Sequence, residues 1–134
     1  MSVESAKFVR VGLDLVRVED VRRSLEEFGG RYLARLFTPH EQRCCPGVAA
    51  LAAPGLAARF AAKEATIKVL RVSEAQPDWL SMEVRRHESG WCEMRLSEEA
   101  ARLAEDAGIK DMAVSLSHEG GMVAAVVIAM CDRG

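Results

Sequence analysis

Arg59, Lys63, Glu64 and Lys68 stand in the run Leu56-Ala-Ala-Arg-Phe-Ala-Ala-Lys-Glu-Ala-Thr-Ile-Lys-Val-Leu70, whose other residues are almost all apolar. Alanine-rich and free of Gly and Pro after Gly55, the run predicts a largely buried helix. At helical spacing Leu56, Phe60 and Ile67 fall near one face. Arg59 and Lys63 stack four apart on another, where like charges repel weakly and a bound anion would remove the cost. Glu64 and Lys68 also sit four apart, in the order that favours pairing, so one acid lies inside a basic cluster. Such a set suits a divalent cation bridging a carboxylate to a phosphate. A solvated charged stripe with a Glu64–Lys68 surface pair accounts for the same residues when the helix is taken alone.

The elements that must position these residues belong to one domain, because 134 residues leave no room for a second. A net charge of −2 argues against nucleic acid as the main partner, since phosphate-backbone affinity comes from neutralising Lys and Arg. Any basic site must therefore be local. Cys44, Cys45, Cys92 and Cys131 include an adjacent pair but no C-x-x-C, which suggests neither a zinc knuckle nor a disulfide framework; reduced thiols are expected. The opening Met-Ser-Val-Glu-Ser-Ala-Lys lacks a signal pattern, and no apolar run reaches the roughly 20 residues that span a bilayer. The expectation is a soluble cytoplasmic protein with no membrane partner.

Phe8 to Val16 is rich in strand formers, with Gly12 as a point of close backbone approach and Asp14 as its odd residue. Glu19 to Phe28 changes period, with Val18, Val21, Leu25 and Phe28 three or four apart and Gly29-Gly30 as a stop, which predicts an amphipathic helix. A short helical piece, Tyr32 to Leu36, leads to Thr38-Pro39-His40-Glu41, a capping box with Pro at the first helical position. Pro46-Gly47 and Pro54-Gly55 read as breaks with a loop or a short helical turn between them. Alternation over Leu80 to Arg86 and a second strand at Trp91 to Leu96 form a hairpin about Glu88-Ser-Gly90. Ser97 is the expected cap of a helix that stops at Gly108. Met112 to His118 and the apolar Met122 to Met130 are strands joined at Glu119-Gly120-Gly121. The fold class is α+β, a small antiparallel sheet packed with a long central helix. The Asp-Arg-Gly tail is too short to form an element of its own.

Gly12-Leu-Asp14 in the first strand, Arg-Phe-Ala-Ala-Lys-Glu-Ala in the long helix, Lys68 one turn on and Ser115-Leu-Ser-His118 at a strand end follow in fixed order. In that order, and with the Phe-Thr-x-x-Glu helix start at Phe37, the chain resembles the short AcpS-type 4'-phosphopantetheinyl transferases, the holo-acyl-carrier-protein synthases. The resemblance runs from Val11 to about Met130. It implies transfer of the 4'-phosphopantetheine arm of coenzyme A to a serine of an acyl carrier protein, leaving adenosine 3',5'-bisphosphate.

On that resemblance Asp14 and Glu64 match the family's Mg2+-binding acids, and Mg2+ takes one or two carboxylates together with phosphate and water. Lys68 would stabilise charge on the transferred or leaving phosphate, with helix pairing to Glu64 as the plain alternative. Arg59, Lys63 and His118 match positions near the coenzyme A phosphates, with a plain turn residue as the lesser alternative for His118. The carrier serine needs a base, which Glu64 supplies directly or through a water. Members commonly present basic residues on the first helix to an acidic carrier, whereas this helix opens on Glu19-Asp20 flanked by Arg17, Arg22 and Arg23, the expected carrier contacts. Gly90-Trp91-Cys92 replaces a frequent Gly-x-Pro. Both departures suggest a specialised polyketide or peptide carrier rather than the fatty-acid one.

The resemblance also implies a homotrimer with active sites between subunits. The closing strand agrees, since Val123 to Met130 is apolar on both faces and one subunit's sheet normally buries one. The rival reading is a catalytically idle homologue that holds coenzyme A or a carrier as a scaffold, against which both acids speak. An unrelated nucleotide-binding module would need a Walker or Rossmann glycine pattern, and the sequence has none.

Overall fold

The strand-forming run Phe8–Arg17 is β1, and it passes directly into α1 (Val18–Phe28) in the computed structural model, which describes residues 8–73 and 76–132. The opening heptapeptide and the last two residues of the Asp-Arg-Gly tail lie outside the described residues. Helices α2 (Gly30–Leu36) and α3 (Pro39–Cys44) follow, then the long α4 (Ala49–Leu70). A 3-10 turn at Trp79–Ser81 leads into the hairpin β2 (Met82–Arg86) and β3 (Cys92–Leu96), then α5 (Glu98–Asp106), β4 (Ile109–Glu119) and β5 (Met122–Cys131). Strand order is β1-β5-β4, antiparallel throughout, with β2-β3 as a separate pair.

Helix α4 is the centre of the molecule. Ala52, Ala53, Leu56, Ala57, Ala61, Ala62, Ala65 and Val69 are all buried, against β1 and β5 on one side and α1 on another. Alanines permit this because small side chains let a helix approach a sheet closely. Gly12 takes the approach to its limit: a Cβ there would stand 2.1 Å from the Ala65 carbonyl oxygen, so only glycine lets β1 cross α4 at this point. The crossing fixes the residues that flank it, Asp14 two residues on from Gly12 in β1, and Glu64 and Lys68 one before and three after Ala65 in α4.

The expected break at Pro54-Gly55 is corrected: α4 begins at Ala49 and runs through both residues. Pro54 falls in the second turn and costs that turn one backbone hydrogen bond. The buried alanine faces on either side carry the helix across it. Gly55 is set by packing, since a Cβ there would meet the Cys45 Sγ at 2.6 Å. Smaller differences have local causes. The Asp78 carboxylate accepts the Leu80 N–H, which winds Trp79–Ser81 into a turn and delays β2 to Met82. Ser97 occupies the N-cap position of α5, but its side chain makes no capping hydrogen bond. The Thr38 capping box forms as expected, with Glu41 N–H donating to the Thr38 hydroxyl and Thr38 N–H to the Glu41 carboxylate.

Alternation along the sheet separates two faces. Val123, Ala125, Val127 and Ala129 of β5 are buried beneath α4. On the opposite face, Val11 pairs in register with Ile128 and Val9 with Met130. These side chains and Leu13 and Leu15 remain exposed, Val11 at 64% and Ile128 at 42%.

Candidate active site

Asp14 and Glu64 line one cleft, of about 540 Å³, walled by the end of β1, the first two turns of α1 and the middle of α4. The Lys68 ammonium turns across to β1, donating to the Leu13 carbonyl at 2.6 Å and approaching the Asp14 carboxylate at 3.3 Å. Its ion pair is therefore with the strand acid, where the helical spacing suggested Glu64. Burial raises the Glu64 pKa, the Asp14 charge pushes the same way, and Lys68 opposes both. Two carboxylates lining one cleft, one of them paired with a lysine, are a donor set of the kind a hard divalent cation takes. Among the described residues no third His, Cys, Asp or Glu joins them as a metal-binding group. Mg2+ usually takes only one or two carboxylates, a number that Asp14 and Glu64 supply. Asp20, Ser24 and Tyr32 line the same cleft, and burial pushes the Tyr32 hydroxyl pKa up to about 12.

A second cavity, of about 500 Å³, opens on the other side of the β4–β5 hairpin end. Arg59 of α4, Arg86 of β2 and His118 of β4 line it, together with Gly90, Cys92 and the Gly120-Gly121 turn. Both glycines of that turn have positive φ, the geometry of a two-residue hairpin turn. The Gly121 carbonyl accepts the Val18 N–H at 2.9 Å, tying the turn to the start of α1. Met122 lines both cavities, so they adjoin. Arg59 donates through Nη1 to the Gly55 carbonyl at 3.0 Å, while its buried Nε has no protein partner. Three cationic or protonatable groups from three elements thus converge on one space, a suitable cradle for phosphate.

Lys63 does not join them, which corrects the expectation that it binds phosphate beside Arg59. The side chain is fully buried, and its ammonium donates to the Glu41 carboxylate at 2.7 Å, the Leu36 carbonyl at 2.6 Å and the Trp79 carbonyl at 3.2 Å. Those three acceptors satisfy its three donors. Glu41 in turn accepts the Thr38 and Val84 N–H groups. The pair fastens α2, α3, the 3-10 turn and β2 to α4. Burial lowers the Lys63 pKa and Glu41 opposes the shift.

The expected carrier contacts are not equivalent. Arg22 is held by Glu19 and Glu26 on its own helix and Arg23 lies 3.4 Å from Glu19, whereas Arg17 lines the acid cleft. Sequence reasoning missed Arg86, although a signal was present: it shares strand parity with the buried Met82 and Val84, so an arginine falls on the inward-facing side of β2. At the altered Gly90-Trp91-Cys92 loop, Trp91 stacks on His87 with ring centroids 3.5 Å apart.

Paired acids in one cleft and a cationic cavity adjoining it describe a phosphate-handling enzyme of α+β fold. The chain belongs to the 4'-phosphopantetheinyl transferase superfamily, whose family model matches residues 10–129. It is 42% identical over 120 residues to a holo-[acyl-carrier-protein] synthase of Desulforudis audaxviator, covering 90% of this chain and 91% of the relative. A Moorella thermoacetica protein of the same name is 37% identical over 125 residues, covering 90% and 92%. Among solved structures, an ACPS–CoA complex from Chronobacterium ammoniagenes superposes with a TM-score of 0.81 at 28% identity, covering 95% of this chain and 100% of that one. A Helicobacter pylori AcpS in complex with coenzyme A gives 0.77 at 25% identity, covering 90% and 99%.

Proposed function

We propose that this chain transfers the 4'-phosphopantetheine group of coenzyme A to a serine of an apo acyl carrier protein and releases adenosine 3',5'-bisphosphate. The observation that carries the reading is the adjacency of the two cavities: one suited to hold phosphates, the other lined by Asp14 and Glu64 where a hydroxyl can be activated. Arg59, Arg86 and His118 bind and orient the nucleotide phosphates by charge-assisted hydrogen bonds. Asp14 and Glu64 would hold Mg2+, which when bound supplies charge neutralisation at the pyrophosphate. Glu64, its basicity raised by burial, is placed to take the serine proton directly or through a water. Lys68 lies beside Asp14 and can move to the phosphate whose charge develops as the bond breaks.

The apolar outer face of the β1-β5-β4 sheet supports assembly into a homotrimer with active sites between subunits. Four unpaired cysteines support a reducing, cytoplasmic setting, and no helix among the described residues is long and apolar enough to cross a membrane. The scaffold alternative gains nothing from the geometry, because a mere binder of coenzyme A has no use for the acid pair. Intact-mass spectrometry of apo carrier proteins incubated with the protein, coenzyme A and Mg2+ tests the reading. One phosphopantetheinyl increment on the serine is expected; no increment on any fatty-acid, polyketide or peptide carrier would refute it.

A further inference from the structure

We infer that the Tyr32 hydroxyl donates a hydrogen bond to a non-bridging oxygen of the phosphoryl group being transferred; the inference rests on the transfer reading above and adds a neutral donor to its acids and cations. Tyr32, the sole tyrosine of the chain, belongs to α2 and lines the cleft of Asp14 and Glu64. Its ring meets the fully buried Phe37 edge-on, with centroids 5.9 Å apart and planes at 64°, which fixes the direction of the side chain. Burial is the one influence that moves the pKa of its hydroxyl, up to about 12, and no neighbouring charge or hydrogen bond takes part. The hydroxyl therefore keeps its proton at any working pH and offers a donor that no described residue accepts. The other polar groups of the cleft do not fill that role. Asp14, Asp20 and Glu64 only accept when ionised, Ser24 sits on a rotor without a fixed direction, and Arg17 is exposed. A donor held in place before the reaction gains strength as the phosphoryl oxygens gain charge, so it acts on the rate more than on binding. Tyr32 gives up no proton in the step; the serine proton goes to Glu64.

Because the chain has one tyrosine, biosynthetic replacement with a ring-fluorinated tyrosine labels this position alone and strengthens the donor by making the phenol more acidic. Tyr32→Phe, which keeps the ring packing, should lower kcat roughly 10- to 100-fold with an unchanged melting midpoint and with KM and coenzyme A affinity within about twofold of the parent, the split of an interaction made in the transition state. The fluorinated protein should transfer at least as fast as the parent. Its single fluorine resonance should move with coenzyme A and Mg2+ and stay in place with adenosine 3',5'-bisphosphate and Mg2+, since that product lacks the phosphoryl group that is transferred. Parent-like kcat in Tyr32→Phe, a loss confined to KM, or a resonance unmoved by coenzyme A would overturn the inference and leave the transfer reading standing. So would slower transfer by the fluorinated protein, the sign expected if the hydroxyl bonded Glu64 and weakened it as a base. Absence of transfer by the parent to any carrier would overturn both.

Discussion

Lys63 lies away from the phosphate cavity that its spacing from Arg59 suggested, and Arg86, which the sequence did not single out, lines that cavity; the reason is direction. Helical spacing places Lys63 on the same face as Arg59, but it does not say that the far end of Lys63 reaches inward to Leu36, Glu41 and Trp79, residues brought there by other elements. That Asp14 and Glu64 stand out in the sequence follows from the local pattern of Gly12-Leu-Asp14 and Lys63-Glu64, and the fold brings both to one cleft. Arg86 does not stand out, because its neighbours in the cavity come from α4 and β4. Two predictions separate the arginine from the lysine. Arg59→Ala, Arg86→Ala and His118→Ala should each weaken coenzyme A binding about tenfold or more, as expected for loss of a charge-assisted hydrogen bond, with added salt weakening the parent too. Calorimetry reads this directly, and parent-like affinities would misplace the phosphate site. Lys63→Met should instead cost about 3–5 kcal/mol of stability by stranding a buried carboxylate, and pairing it with Glu41→Gln should recover part of the loss. Urea titration measures both, and an unchanged midpoint would contradict the structural role.

At the scale of elements, the crossing of β1 over α4 decides whether the acids meet. Strand and helix were each legible from periodicity, and Gly12 was legible as a close approach. Their mutual placement is tertiary, and it depends on the Ala65 carbonyl lying where a side chain would otherwise be. Helix α4 was read too short because Pro54 and Gly55 look like punctuation, whereas burial on both flanks overrides local propensity. Gly12→Ala should push β1 off α4, lower stability, and separate Asp14 from Lys68 and Glu64. We expect transfer to fall far more than coenzyme A affinity, since the phosphate cavity draws nothing from β1. Rates and calorimetry on the folded fraction check this, and an active, fully stable Gly12→Ala protein would contradict the crossing.

At the scale of the whole molecule, Val9, Val11, Leu13, Leu15, Ile128 and Met130 form an exposed apolar stripe on the outer face of the sheet. It was foreseen only in β5, whose residues are apolar at both parities; the matching stripe on β1 was hidden because its register with β5 is not written in either strand alone. Val11→Glu with Ile128→Lys should dissociate the proposed trimer, and sedimentation velocity of parent and variant measures it; a monomeric parent would contradict the proposal. The division of labour between the cavities is the central claim, and it is tested most directly by single-turnover transfer with Asp14→Asn and Glu64→Gln across a Mg2+ titration, alongside coenzyme A binding with Mg2+ chelated. The account predicts parent-like coenzyme A affinity in both variants and transfer slowed roughly 100- to 10,000-fold at limiting Mg2+. Parent-like transfer rates in both variants at limiting Mg2+ would contradict it.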